Sequence, residues 1–357
     1  MTDLTPIAHN KPWILPQDLE AVSSSLASGW LAPGPQTQRF EEAFCRLQGG
    51  GSACAVSSGS AALYGALLAF GIGKGKRVAL PTYVCTAVLN AVTLCGAEPV
   101  LVDIRDDTFN IDPQALAALP AKPDAVIAVH TYGAAADIAV LKRLAPVVIE
   151  DCCQSLAGSA SDGQMLGRAG DASVFSFYAT KIITSGHGGL VYGANGDVAA
   201  RVRDLIMFDG RETWKPRFNF QMTDFQAALA RAQLSRIDAI AARRRELAAA
   251  YRAALAGRCR VQGGLEGGGA MPYRFVVRTP DRAARDVFRD HMQERGIFTI
   301  VPLDTGELLH RQLSLAPGAF PAAERVCATT VSIPLYPALT ATEESRILDA
   351  LDKAPKI

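Results

Sequence analysis

Through the first two-thirds of the chain, unbroken apolar runs alternate with stretches whose apolar positions recur at helical spacing. RVALPTY (77–83), PVLVDI (99–104), DAVIAVHTYG (124–133) and PVVIEDCCQS (146–155) are continuous Val/Ile/Leu-rich runs. Runs without polar alternation suit strands covered on both faces, as in a parallel sheet. Between them, TAVLNAVTLCG (86–96) predicts a helix ending in Gly. DPQALAAL (112–119) predicts one opened by Asp112 with Pro113 in its first turn, and DIAVLKRLA (137–145) a third. Regular alternation of strand and helix predicts a doubly wound α/β architecture with a mostly parallel sheet.

Beyond about residue 195 the pattern turns helical. TDFQAALARAQLSRIDAIAARRRELAAAYRAAL (223–255) reads as one long helical stretch broken near Ser235, followed by the Gly-rich QGGLEGGGAMP (262–272). YRFVVRT, RDVFRDHMQERG, FTIVPL, VSIPLY and TATEESRILDALDK then predict a smaller α+β segment. The expected division is a large domain over residues 1–250, N-terminal segment included, and a small C-terminal domain over 251–357.

The chain has 357 residues, a formal net charge of +1 and 20% charged residues, so charge gives no reason to expect nucleic acid or an anionic membrane. MTDLTPIAHNKPWILPQDLE lacks the basic start and apolar core of a signal peptide, and no apolar run is long enough to span a bilayer. A cytoplasmic protein is expected. The eight cysteines show no CxxC spacing and the five histidines are scattered, so free thiols and no metal centre are expected.

Three local features carry candidate chemistry. AVSSGSAALYGALLAF (55–70) is a short strand, then Ser58, Gly59 and Ser60, then an Ala/Leu-rich helix. It reads either as a phosphate cradle at a helix N-terminus or as plain Ser capping. Asp151 ends a buried strand, where ligands of open α/β sheets bind, with Glu150 expected to point the opposite way. Lys181 stands alone in the otherwise apolar and small-residue stretch SVFSFYATKIITSGHGGLV (173–191), either solvated or a nucleophile. Taken together, cradle, strand-end acid and lysine are the parts that hold pyridoxal 5′-phosphate (PLP). The lysine forms the Schiff base, and the acid keeps the pyridine nitrogen protonated. A low-polarity setting is expected to lower the lysine pKa.

The same stretches resemble the DegT/StrS family of fold-type I PLP-dependent sugar aminotransferases. The resemblance lies in GWLAPGPQTQRFEEAF, SSGSAALYGAL, PTYVCTAVLNAVTLCGAEPVLVDI, HTYGAAADI, IEDCCQSLAG, FSFYATKIITSGHGGLV, FNFQMTDFQAALARAQL and VSIPLYPALTATEE, in that order along nearly the whole chain. It implies that Lys181 forms the Schiff base and carries the proton, that Asp151 pairs with the pyridinium, and that Gln154 lies near the ring phenolic oxygen. Ser58, Gly59, Ser60 and Ser176 would hold the phosphate. Asn219 would reach the cofactor phosphate of a neighbouring subunit, which implies a homodimer with shared sites.

Some positions depart from the family pattern. Cys85 stands where the family carries a ring-stacking aromatic, with Tyr83 close by; Ile182 follows the lysine; His187 replaces the Glu of GEGG; Gln221 replaces an Arg. These cluster on the substrate side, and His187 and Tyr83 are candidate substrate contacts. His187 reads equally as a structural residue of a Gly turn, and His130 as a structural residue at a strand end. Arg211, Lys215 and Arg217 are candidates for a nucleotide diphosphate or for a solvated loop. The resemblance implies transfer of an amino group from glutamate or glutamine to a keto sugar, a nucleotide-linked 4-keto-6-deoxyhexose, by ping-pong kinetics. The alternatives are a keto-cyclitol acceptor, a dehydratase of the same fold, and a non-catalytic regulator that has kept the fold.

Overall fold

The computed structural model describes residues 5–355, so Met1–Leu4 of the N-terminal stretch read above and Lys356–Ile357 fall outside it. The Val/Ile runs become the middle of a seven-stranded sheet: β1 (Ser52–Val56), β2 (Arg77–Pro81), β3 (Glu98–Val102), β4 (Ala125–Val129), β5 (Val147–Asp151), β6 (Ala172–Ser176) and β7 (Gly189–Gly193). The order across the sheet is β1-β7-β6-β5-β4-β2-β3. Neighbours from β3 to β6 pair in parallel, and β7 runs antiparallel to both β6 and β1. Every residue of β4 is buried, as its unbroken apolar run requires.

The pleat divides each strand between two apolar layers. Val126, Ala128 and Val148 pack with Ile138 and Leu141 of the helix Ile138–Leu144. Ala125, Ile127, Val129 and Ile149 face the larger core with the helix Gly59–Ala69. This division decides which side of the sheet each polar residue at a strand end will serve. The expected helix starts hold: Asp112 and Asp137 both cap, accepting from Gln114 N–H and Val140 N–H.

The long helical stretch breaks where its sequence predicts. Ser235 terminates the helix Asp224–Leu234, and a second helix, Ile237–Ala254, follows. The latter reaches a second core. There Leu247 and Tyr251 pack with Phe275, Val277, Val331 and Ile333, with Phe288 and Met292, and with Ile347 and Leu351. Ile7 from the other end of the chain joins them. A small antiparallel sheet of β8 (Arg260–Val261), β9 (Phe275–Arg278) and β10 (Thr330–Ile333), in the order β10-β9-β8, supplies its strands. Among the described residues no helix is long and apolar enough to cross a membrane, and the cysteines are free thiols.

Candidate active site

The first component is built where β1 turns into the helix Gly59–Ala69. Ser58 is extended (φ −164°, ψ 163°) and its Oγ accepts from Ala61 N–H at 3.1 Å. That leaves the N–H groups of Gly59 and Ser60 without an intrahelical acceptor, at the positive end of the helix dipole. The helix start is pressed against the end of β6. A Cβ on Gly59 would stand 2.8 Å from Ser176 Cβ and 3.3 Å from Cys153 Sγ. Only glycine allows this approach, and the resulting cradle of amides with two hydroxyls fits a phosphate. The capping reading of Ser58 holds for its Oγ, while the amides of Gly59 and Ser60 stay available to an anion.

Asp151 and Glu150 are separated by the pleat, as expected. Asp151 lies on the cradle side, with Oδ1 accepting from Cys153 N–H at 3.0 Å. Glu150 faces the other side, where it accepts from Gly170 N–H (2.6 Å), Gly167 N–H (2.9 Å) and His130 Nε2 (2.9 Å). His130 Nδ1 in turn accepts from Ala136 N–H at 3.0 Å, which puts the ring proton on Nε2. Burial alone would raise the Glu150 carboxyl. The hydrogen bond from His130 and those from the two backbone amides outweigh it and hold the group below its ordinary value. His130, Glu150 and Cys152 place their ligand-type atoms within 4.8 Å of one another. Both imidazole nitrogens and both carboxylate oxygens are engaged in a hydrogen-bond network.

Lys181 sits in the irregular segment between β6 and β7. Backbone bonds from Ser185 N–H to Phe177 O (2.9 Å) and from Phe177 N–H to Gly188 O (2.9 Å) close this segment into a tight loop. Lys181 is half-buried, and its Nζ lies 5.5 Å from the centroid of the Tyr273 ring. The expected downward shift of its pKa is corrected here. Burial does lower it, but Tyr273, Cys153, Asp151 and Cys85 around the ammonium outweigh burial, and the net direction is up. Tyr273 moves in concert. Burial raises it, but the charges of Lys181 and Arg274 and a hydrogen bond with Thr180 leave it below its ordinary value. The pocket is apolar in its walls, with one carboxylate, a phenol and two thiols gathered near the amine, a grouping that the local sequence did not reveal.

These groups share one cavity of about 340 Å³. Ser58, Gly59, Ser60, Cys85, Asp151, Gln154, Ser176, Lys181 and His187 all line it. Gln154 is oriented by its Oε1, which accepts from Tyr132 N–H at 2.9 Å and leaves the amide NH₂ free to donate. Cys85 is an exposed thiol. His187 is exposed at the rim, its ring edge-on to Tyr178 at 5.2 Å. The rings of Tyr178 and Tyr273 were not singled out from sequence. Tyr178 lies in the quoted loop and was legible; Tyr273 comes from the far side of the Gly-rich break and was not.

Two candidates lie elsewhere. Tyr83 does not line the cavity: it is fully buried, edge-on to Phe109 and Tyr132, with Tyr132 Oη donating to its hydroxyl at 3.4 Å. β2 ends at Pro81, and the bend at 82–84 that follows turns the ring into the core, away from the cavity that Cys85 lines. Asn219 is exposed and outside this cavity. Among the departures, Ile182 is a core residue, and Gln221 Nε2 donates to Ile206 O at 3.1 Å. Arg211, Lys215 and Arg217 all converge on Asp204. A larger cavity of about 670 Å³ opens on the Glu150 side, between the 159–166 loop and the 264–270 glycines, but it contains no lysine.

Residues 13–352 match the model of the DegT/DnrJ/EryC1/StrS aminotransferase family. The chain is 31% identical to DesV of S. venezuelae, solved in complex with a ketimine intermediate, over 94% of this chain and 93% of that one, with a TM-score of 0.85. It is 28% identical to the aminotransferase TlmJ from Streptoalloteichus hindustanus, over 97% and 98% of the two chains, with a TM-score of 0.88. A Streptococcus pneumoniae protein described as a sugar aminotransferase, Spr1654 in its PLP form, shares the fold at a TM-score of 0.89 and 23% identity, over 97% and 98%.

Proposed function

The chain belongs to the DegT/DnrJ/EryC1/StrS aminotransferase family, and on that premise we propose that it moves an amino group from glutamate or glutamine to a keto sugar, a nucleotide-linked 4-keto-6-deoxyhexose, in two half-reactions at one site. It is a PLP-dependent enzyme, as its family is. The observation that carries the reading is the convergence of Lys181, Asp151 and the open helix start at Gly59 on one cavity. Bound there, PLP supplies an electron sink for the bond changes at the donor and acceptor carbons. The residues of the chain do the rest. The cradle of Gly59, Ser60 and Ser176 anchors the phosphate, and Asp151 holds the proton on the pyridine nitrogen. The amide of Gln154 donates to the phenolic oxygen. Lys181 would hold the cofactor at its carbonyl, and its Nζ would carry the proton. Cys85 and His187 line the same cavity and would meet the substrate, and a thiol at position 85 would give the cofactor ring no aromatic to stack on.

We also propose a homodimer with shared sites, located in the cytoplasm. The chain divides near residue 250, supported by the two separate apolar clusters, although the helix Ile237–Ala254 spans that point. Support for sharing comes from Asn219, exposed and outside its own cavity, and from Trp214, which is 90% exposed on the same loop.

Adding glutamate or glutamine to the PLP-loaded protein should exchange visible cofactor absorbance for near-ultraviolet absorbance. A keto acceptor should then reverse the change. Protein that binds PLP but responds to neither amino acid would sink the donor assignment, and reversal only by keto-cyclitols would replace the acceptor class. Mixing inactive Lys181→Ala and Asn219→Ala chains should restore activity through hybrid dimers with one intact site; no restoration would argue against shared sites.

A further inference from the structure

We propose that the groove between the helices Pro35–Leu47 and Asp224–Leu234 binds a nucleoside phosphate, held by Arg39, Arg46 and Arg231. The proposal is independent of which donor and acceptor the enzyme uses. The two helices begin together because the Asp224 carboxylate accepts from Gly34, Gln36 and Thr37 N–H at 3.0, 3.1 and 2.8 Å. Phe40 and Phe44 of the first helix turn inward, edge-on to Phe177 and Phe175 of the core. Arg39, Ala43, Arg46 and Leu47 recur at helical spacing on another face of the same helix. Arg231, Leu234 and Ser235 do so at the end of the second. These seven residues line a cavity of about 450 Å³, within the range of small-molecule pockets. Its apolar lining is Ala43, Leu47 and Leu234. Its charged lining is three guanidinium groups and no carboxylate.

The acids of the surrounding elements are engaged elsewhere. Glu41 accepts from Ala55 N–H at 2.8 Å and from Arg203 at 2.7 Å. Glu42 accepts from Gln38 Nε2 at 3.0 Å, and Asp18 takes both terminal nitrogens of Arg236 at 2.7 Å. Asp238, in the first turn of the helix that follows, is exposed and forms no ion pair with the three arginines. Among the described residues no hydrogen bond or ion pair reaches the side chains of Arg39, Arg46 or Arg231, and Arg231 Nε is buried without a partner. Helix dipoles account for part of this arrangement. Arg46 and Arg231 stand in last turns, where a cation is favoured. Arg39 stands in the first half of its helix, where the dipole gives no reason for it. Three like charges on one groove repel, and the buried donor has lost its water without gaining an acceptor.

An anion of two or more charges would neutralise the groove, and planar guanidinium forks bind phosphate oxygens in pairs. A bare phosphate would leave Ala43, Leu47 and Leu234 facing water. A guanidinium also stacks on a flat π system, and a nucleobase brings such a face to the apolar lining. Phosphate for the arginines and a base for the apolar residues together make a nucleoside phosphate. The groove shares no residue with the cavity of Lys181, so a ligand here leaves the cofactor in place.

The test uses PLP-loaded enzyme, with uridine diphosphate and inorganic pyrophosphate as probes and calorimetry as the readout. Uridine diphosphate should bind, less tightly as salt rises. It should bind at least about tenfold tighter than pyrophosphate, through the apolar contact of its base. Arg39→Gln and Arg231→Gln should each weaken it by about tenfold, and Arg39→Lys should recover part of the loss. No binding to wild type would overturn the proposal. So would binding that survives both substitutions, since it would lie elsewhere, at the acceptor's own position included. Pyrophosphate bound as tightly as uridine diphosphate would overturn the nucleoside assignment. Where a variant does not fold, wild-type enzyme decides: uridine diphosphate should shield Arg39, Arg46 and Arg231 from phenylglyoxal, read by peptide mass, and unshielded arginines would overturn the site.

Discussion

Two adjacent carboxylates on one strand meet opposite fates. Glu150 points to one face of the sheet and is saturated, with His130 and two backbone amides filling its oxygens. Asp151 points to the other and is left with capacity to spare, a single amide from Cys153 against it in an open cavity. Both are buried acids in the same β5. The difference is the neighbours each meets across the pleat. Where partners close every valence, the acid serves the fold; where they stop short, it is available to a ligand.

If the two faces differ in this way, substitutions should separate activity from stability. The largest effect is expected at Lys181. Lys181→Ala should leave turnover below about 10⁻³ of wild type while thermal unfolding of the cofactor-free protein barely moves, measured by initial rates and calorimetry. Turnover above that level would break the assignment of the cavity face. Asp151→Asn should follow, with about 10²- to 10⁴-fold slower donor half-reaction and retained fold. A stability loss equal to that at Glu150 would erase the contrast.

Glu150→Ala should show the converse, destabilising by about 3–5 kcal/mol in denaturant titration because His130 and two amides lose their acceptor. Activity per folded molecule should persist. The pH dependence carries its own sign. The folded-state pKa of Glu150 lies below its ordinary 4.5, so its stabilisation is full above about that pH and fades as pH falls through the lower folded value. Glu150→Gln should flatten that part of the acid-unfolding curve, and an unchanged curve would remove Glu150 from the account. The smallest effect is expected at the cradle. Gly59→Ala drives a methyl onto Ser176 and Cys153; PLP affinity should fall by about tenfold for a cost of about 1–2 kcal/mol. Equal affinity, by equilibrium dialysis, would show that the helix start need not approach β6 so closely.

Much of this was legible in local pattern. The unbroken runs at 77–83, 124–133 and 146–155 hold strands of the sheet because strands covered on both faces need no polar alternation. Period-two geometry was enough to send Glu150 and Asp151 to different sides, and Ser58 was placed at a helix start by its motif alone. These features depend on residues a few positions apart. Tyr83 shows the limit of that reading: proximity in sequence to Cys85 suggested the substrate side, while the packing of Phe109 and Tyr132 took its ring into the core.

The amino-acid sequence by itself determined the alternation of strand and helix and the break at Ser235, and it singled out Lys181, Asp151 and the helix start at Ser58–Ser60 as candidates, because each is written in spacing within a single element or turn. The tertiary structure alone decided what surrounds Lys181. Tyr273 arrives there only after the Gly-rich 262–272 stretch has returned the chain to the large sheet, where Gly133 admits Met271 and the amide of Tyr273 finds Tyr132. No periodicity encodes that meeting. It is a long-range contact whose location follows from the packing of two cores, and with it comes Tyr273, which joins Cys153, Asp151 and Cys85 of the large sheet in raising the lysine.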